Sequence, residues 1–236
     1  TAFSSAGLVV PENLAIESPD DLELAFSKLA NSSGHIWLRF AGIGGGGKGS
    51  LSTHNIDFAR AWISHHDGWG NFIAAEHLTA ETVTWSSIWA HGKLVVAQTR
   101  RRRGWVHGDR SVSGVTGVTQ LGITDSDPLV DEIATRSIHA VTDVPHGIFG
   151  VDMTYDADGV PNPTEINVAR FFTTVRFFTE AGLNMPEIYA DIGLGAELRD
   201  NFPQTNPLPN NLGWFRGMDT EPKLLPLEEF QERFGS

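Results

Sequence analysis

The chain has no cysteine in its 236 residues. That excludes a disulfide scaffold, a thiolate metal site and a thiol nucleophile, and it fits a cytoplasmic protein. Charge is scarce as well, at 19% against 40% apolar residues, a balance that a disordered segment does not show. No apolar run approaches the roughly 20 residues of a membrane-spanning helix, so no membrane partner is expected. Basic residues number 17 against 29 acidic ones, a formal charge of −12, which argues against a general nucleic-acid binder. No internal repeat is present. A Gly-x-Ser-x-Gly elbow is also lacking, so a hydrolase triad has no support. The N-terminus carries no basic-then-apolar signal sequence, and an opening at Thr1 without Met fits a processed product or a fragment.

What is present suits one large domain or two small ones with a real core. Ser18-Pro19-Asp20-Asp21 reads as a capped helix start, followed by Leu22, Ala25, Phe26 and Leu29 at helical spacing. Residues 35–40 alternate as a half-buried strand, and Asn55 caps a predicted helix over 56–66. Strands are expected at 71–77, 81–90 and 94–103, the last two joined through His91-Gly92-Lys93. A helix opens at Asp127-Pro128, and a hairpin over 150–155 and 160–168 turns around Ala157-Asp158-Gly159. Helical stretches at 173–180 and 186–200 follow. From Asn201 five prolines and many asparagines predict an irregular arm. Strands and helices are mixed rather than strictly alternating, so the expected class is α+β.

Three groups of residues could carry chemistry. Gly42-Ile43-Gly44-Gly45-Gly46-Gly47-Lys48-Gly49 lets backbone N–H groups face an anion, with Lys48 adding charge. It satisfies seven positions of a P-loop, but Gly49 stands where Ser or Thr must hold magnesium, so the P-loop reading fails there. A flexible surface turn is the alternative; Arg39 just upstream favours phosphate. Second, Glu165 and Asn167 share one strand face, and a two-residue turn at Asp158-Gly159 sets Asp152 opposite Glu165, about 5 Å apart at Cβ. Facing carboxylates repel unless a cation lies between them, and two carboxylates with an amide oxygen suit magnesium or manganese. The alternative is a solvated hairpin edge, and Pro161 and Pro163 could add a bulge that shifts the register. Third, Arg100-Arg101-Arg102-Arg103 ends a strand. Alternation puts Arg100 and Arg102 on one face and Arg101 and Arg103 on the other, so that one pair can line a polyphosphate while the other is solvated or bridges to acids.

Taken in order, these features resemble the ATP-grasp superfamily, in particular the ATP-binding domain of carbamoyl phosphate synthetase large chains and carboxylate–amine ligases. The likeness runs from about Gly7 to Arg176. It rests on Gly7-Leu8-Val9-Val10-Pro11, the basic strand and glycine loop of 35–49, Asn71 to Leu78 with Glu81, and above all Asp152 with Thr164-Glu165-Ile166-Asn167. The resemblance implies two α+β lobes with ATP between them, a small lobe over 1–78, a large lobe with the metal site over 79–200 and the arm over 201–236. The N-terminal Rossmann-like domain of relatives has no counterpart in the chain.

The resemblance also implies ATP and Mg2+ as cofactors. Asp152, Glu165 and Asn167 would be metal ligands, and Arg39, Gly44, Gly45, Gly46, Gly47 and Lys48 would take the phosphates. Glu76, His77 and Leu78 would meet adenine, and Glu81 the ribose. Arg170, with Arg100 and Arg102, would supply the catalytic cations. The implied reaction passes the γ-phosphoryl group to a small-molecule carboxylate, giving an acylphosphate that an amine attacks. Phosphorylation of bicarbonate or carbamate is a close relative of that reaction, and a nucleotide-binding module without turnover is the reading from another class.

Overall fold

The computed structural model describes residues 2–41, 49–115, 117–196, 203–217 and 221–234. The chain divides into two compact units, each built from separated segments: residues 11–78 with 105–118, and residues 1–10 with 79–104 and 119–236. A four-residue helical turn, α1 (Ala2–Ser5), belongs to the second. None of the described helices is long and apolar enough to cross a membrane.

The first unit is a four-stranded antiparallel sheet with two helices packed on it. Its elements are β1 (Asn13–Ile16), α2 (Pro19–Leu29), β2 (Ile36–Phe40), β3 (Leu51–Thr53), α3 (Ile56–His65) and β4 (Phe72–Glu76), with strand order β1-β4-β2-β3. The start of α2 is the predicted capping box: Ser18 Oγ accepts from Asp21 N, and the Asp21 carboxylate accepts from Ser18 N. Asn55 caps α3 through Phe58 N. Leu22, Ala25, Leu29, Ala59 and Ile63 of the helices meet Ile36, Leu38, Phe72 and Ala74 of the strands in one buried cluster, where each large side chain contributes roughly 1.5–3 kcal/mol by leaving water. Gly49 is required by this packing rather than by magnesium chemistry. Its φ is +73°, and a Cβ there would lie 2.7 Å from Phe40 Cβ.

The second unit is built on a seven-stranded sheet. Its strands are β5 (Thr82–Ala90), β6 (Lys93–Trp105), β7 (Thr119–Asp125), β8 (Gly147–Tyr155), β9 (Pro161–Val168), β10 (Leu212–Phe215) and β11 (Lys223–Pro226). The order is β11-β10-β7-β6-β5-β8-β9. Its helices are α4 (Pro128–His139), α5 (Val175–Glu180), α6 (Met185–Gly193) and α7 (Leu227–Phe234). The β5–β6 turn falls where expected but is one residue shorter, with Lys93 paired to Ala90 in the strand: His91 and Gly92 both have positive φ, 49° and 83°, as a two-residue type I′ turn demands.

Strand alternation gives this sheet two unlike faces. On one, Val83, Trp85, Val151 and Met153 pack against Val130, Ile133, Ala134 and Ile138 of α4. On the other, Ile88, Val96 and Trp214 pack under Phe177 and Phe178 of α5. Farther along that second face the strands carry polar residues instead: Thr84 on β5, Arg100 and Arg102 on β6, Asp152 on β8.

Two expectations are corrected here. The C-terminal segment is not an irregular arm, because β10 pairs with β7 through Trp214 opposite Gly122, and β11 pairs with β10. Its Pro and Asn residues lie largely between these elements, and Asn206 docks the approach by accepting from Thr99 N and donating to Asp131. The β8–β9 hairpin does not close on a two-residue turn at Asp158-Gly159. Tyr155 stands opposite Pro161, and residues 156–160 form the loop.

Candidate functional site

Between Met153 and Asp152 the β8–β9 register shifts by one, with Thr164 as the extra residue of β9. This bulge offsets the longer loop, so Asp152 does face Glu165, and Gly150 faces Asn167. Thr164 fixes the irregularity by donating its hydroxyl to Asp152 O at 3.0 Å. Pro161 and Pro163 are tolerated because β9 is the edge of the sheet.

One line of register partners now crosses four strands: Arg100 opposite Thr84, Thr84 opposite Asp152, Asp152 opposite Glu165. Thr84 is its hub. Its hydroxyl donates to Asp152 Oδ1 at 2.5 Å and accepts from Arg100 Nη2 at 2.8 Å and Arg102 Nη2 at 3.3 Å. One donor and two lone pairs are therefore all engaged. Asp152 also lies 3.5 Å from Arg102 Nη2, and its Oδ2 accepts from Asn167 Nδ2 at 3.0 Å. Arg170 donates to Asn167 Oδ1. Asp152, Glu165, Asn167, Arg170, Arg100 and Arg102 thus share one region of one sheet face.

Arg100 is buried, with 2% exposure. Its Nη1 donates to Thr174 Oγ1 at 2.5 Å, its guanidinium lies 4.8 Å from the centre of the Phe172 ring, and its Nε is buried without a partner. Burial, then the neighbouring Arg102 charge, push it down to about 9, with Asp152 pulling the other way. Arg102 is also lowered by burial, against the pull of Asp152. Gly122 on β7 makes room for the Arg100 stem, since a Cβ there would lie 2.9 Å from Arg100 Cδ.

The other predicted residues fall elsewhere. Arg101 and Arg103 face the opposite side, where Arg101 binds Asp125 and lies 3.7 Å from Glu81, and Arg103 lies 3.9 Å from Glu81. Glu81 is therefore engaged away from the Asp152 cluster. Arg39 is an exposed residue of β2 opposite Ile73. Glu76 ends β4 and accepts from Glu12 N at 2.9 Å. His77 and Leu78 are half-buried; His77 lies 5.7 Å from His35 between ring centres, and burial, then that neighbour, lower its pKa. Gly44, Gly45, Gly46, Gly47 and Lys48 lie outside the described residues.

Thr84, Thr174, Phe172, Gly122 and Arg216 are site-face residues that sequence reasoning missed. Arg216 donates Nε to Thr119 O at 2.7 Å, Nη1 to Thr173 O at 3.1 Å and Nη2 to Thr173 Oγ1 at 2.9 Å. The only signal for it was a basic residue two positions beyond Trp214.

The donor set tolerates a hard cation. Two carboxylates and an amide oxygen are the ligand types that magnesium and manganese take; Asn167 turns its Nδ2 to Asp152 and its Oδ1 to Arg170, so its amide would turn over to join Asp152 on a cation. Among the described residues no three His, Cys, Asp or Glu side chains gather as a metal cluster; this trio has only two residues of those types.

No family model matches the sequence, and no curated protein matches it. Solved structures do match in fold. N5-carboxyaminoimidazole synthetase from Staphylococcus aureus superposes with a TM-score of 0.66 at 13% identity, covering 99% of this chain and 57% of that one. The biotin carboxylase domain of Hydrogenobacter thermophilus 2-oxoglutarate carboxylase, solved with MgADP, ADP and bicarbonate, gives 0.65 at 13%, covering 90% and 47%. L-amino acid ligase from Bacillus licheniformis gives 0.64 at 14%, covering 98% and 56%. The chain spans about half the length of these structures. The fold they share with it is the ATP-grasp fold.

Proposed function

We propose that this chain carries the ATP- and magnesium-dependent site of a ligase that activates a carboxylate as an acylphosphate for attack by an amine. The observation that carries the reading is the row Arg100–Thr84–Asp152–Glu165, flanked by Asn167 and Arg170. It sets oxygen donors for a cation beside guanidinium groups for anions on one face. The fold of the synthetase, carboxylase and ligase above supports the same class.

In the proposed reaction a carboxylate oxygen of the acceptor attacks the γ-phosphorus of ATP. The bond from that phosphorus to the β–γ bridging oxygen breaks, and ADP leaves with the electron pair. The amine then attacks the acyl carbon, phosphate departs, and the nitrogen loses a proton. Asp152, Glu165 and Asn167 would hold magnesium, which when bound neutralises phosphate charge. Thr84 and Arg102 orient Asp152 through Oδ1, the first by donating to it and the second from 3.5 Å, while Asn167 Nδ2 donates to Oδ2. Arg170, exposed and hydrogen-bonded to Asn167, would supply a cation for the transferring group. Bicarbonate or carbamate in place of the carboxylate requires the same charges; bicarbonate is present in the Hydrogenobacter structure.

The test is calorimetric titration with a non-hydrolysable ATP analogue, with and without magnesium, on wild type and Glu165→Gln. Magnesium-dependent binding is expected in wild type, weaker by about tenfold or more in the variant, with acceptor-dependent ADP release abolished. Binding that ignores both magnesium and the substitution overturns the reading. So does a folded wild type that binds no nucleotide.

A further inference from the structure

We infer that Arg100 and Arg216, gathered by the Thr173-Thr174 turn, form a subsite for a small oxyanion, the anionic group of the acceptor. Its role in turnover rests on the ligase reading, but its binding of an anion does not.

The two guanidinium groups come from β6 and from the end of β10. Trp214 opposes Gly122, and Arg216 N donates to Gln120 O at 3.0 Å. Arg216 therefore sits on the face of Trp214, two residues on, which is also the face of Arg100. Consecutive residues of one turn then hold both: Thr173 takes Arg216 through its carbonyl and hydroxyl, and Thr174 takes Arg100 through its hydroxyl.

Each of these partners is a neutral oxygen. Thr84, Thr174, Thr119 and Thr173 orient the two side chains without cancelling either charge. Among the described residues neither arginine makes an ion pair, although Asp152 exerts a longer-range attraction on Arg100. A guanidinium has five N–H donors. Arg100 leaves its buried Nε without a partner, and Arg216 uses one hydrogen on each nitrogen, so both retain capacity. The Arg216 charge also acts on Arg100 unfavourably. Burying Arg100 within reach of a second, partly exposed positive charge is costly unless an anion joins them. Gly122 keeps the space that this arrangement needs, its missing Cβ falling 2.9 Å from Arg100 Cδ.

The experiment follows the thermal midpoint of the full chain, without nucleotide or magnesium, against sodium acetate, bicarbonate and inorganic phosphate at constant ionic strength set by chloride. A saturable rise with acetate or bicarbonate is expected in wild type. Its half-saturation should move up by about tenfold or more in Arg216→Gln and stay put in Glu165→Gln. If Arg216→Gln does not fold, Gly122→Ala replaces it, and the same shift is expected because Arg100 must move. An equal response in the variant, or a response no greater than that to chloride, overturns the subsite. Saturation by phosphate alone overturns its assignment to the acceptor. Failure of the ligase reading would appear separately, as ATP binding insensitive to Glu165→Gln.

Discussion

Arg100 and Arg101 are neighbours on one strand, yet the two faces of the sheet treat them in opposite ways. Arg101 meets carboxylates: it binds Asp125, with Asp127 at 3.9 Å and Glu81 at 3.7 Å. Burial alone would lower its pKa, but the bond to Asp125 and the nearby Tyr155, Asp125 and Asp127 charges raise it. Arg100 meets hydroxyls and a phenyl ring, and burial pushes it down to about 9. A carboxylate neutralises a guanidinium in place, whereas a threonine hydroxyl only aims it. The first arrangement holds a fold together, and the second keeps positive charge ready for a ligand.

The largest test of this contrast is a matched pair of substitutions. Arg100→Met replaces a buried, unneutralised charge with an apolar side chain of similar reach, so stability should hold or rise by about 1–4 kcal/mol. ATP-dependent turnover should fall about 100-fold, as for loss of one aimed donor. Arg101→Met should do the reverse, lowering stability by about 1 kcal/mol by leaving Asp125, Asp127 and Glu81 facing one another, with turnover nearly unchanged. Chemical denaturation and ADP-release assays on both variants read the four quantities. Equal effects on both faces would break the distinction.

Thr84→Val is the next step down. Valine keeps the shape but removes the hydroxyl that serves Asp152, Arg100 and Arg102 at once. Leaving charged groups without that partner should cost about 2–3 kcal/mol. Thr84→Ser, which keeps the hydroxyl, should recover most of the loss in the same denaturation experiment. If serine does not rescue, the hub is a packing position and the hydroxyl is incidental.

Much of this face was legible in sequence because it depends on strand periodicity. Alternation alone separates Arg100 and Arg102 from Arg101 and Arg103, and it puts Glu165 and Asn167 on one side of β9. The pairing of Asp152 with Glu165 was also readable, but through two departures that cancel. The loop over 156–160 is longer than a two-residue turn, and the bulge at Thr164 restores the register. Thr174 and Arg216 were not legible. They meet Arg100 and Thr173 across 74 and 43 residues of chain, and no local pattern encodes such a meeting. Composition also misled at the C-terminus, where Pro and Asn suggested an irregular arm. The four residues of β10 owe their strand to β7 and β11 on either side rather than to their own propensity.

The smallest expected effect uses the aromatic ring on each face. Arg100 lies 4.8 Å from the centre of Phe172, and Arg101 lies 5.2 Å from that of Tyr155. The geometries are similar, so differences in strength should come from solvent and from competing charges. Arg101 remains partly exposed and has carboxylates to hold it. Its coupling to Tyr155, from a double-mutant cycle of Arg101→Met with Tyr155→Leu, should be about 0.5 kcal/mol or less. Arg100 is enclosed, and among the described residues it makes no ion pair to compete with the Phe172 ring. The cycle of Arg100→Met with Phe172→Leu should therefore give about 1–2 kcal/mol. Equal couplings would mean that the ring does not substitute for a carboxylate, and the buried charge would then have to be balanced by Asp152 acting through Thr84. Adding saturating acetate separates those cases. A ring that substitutes for an anion should lose coupling once the anion is bound, while a Thr84-mediated balance should not change.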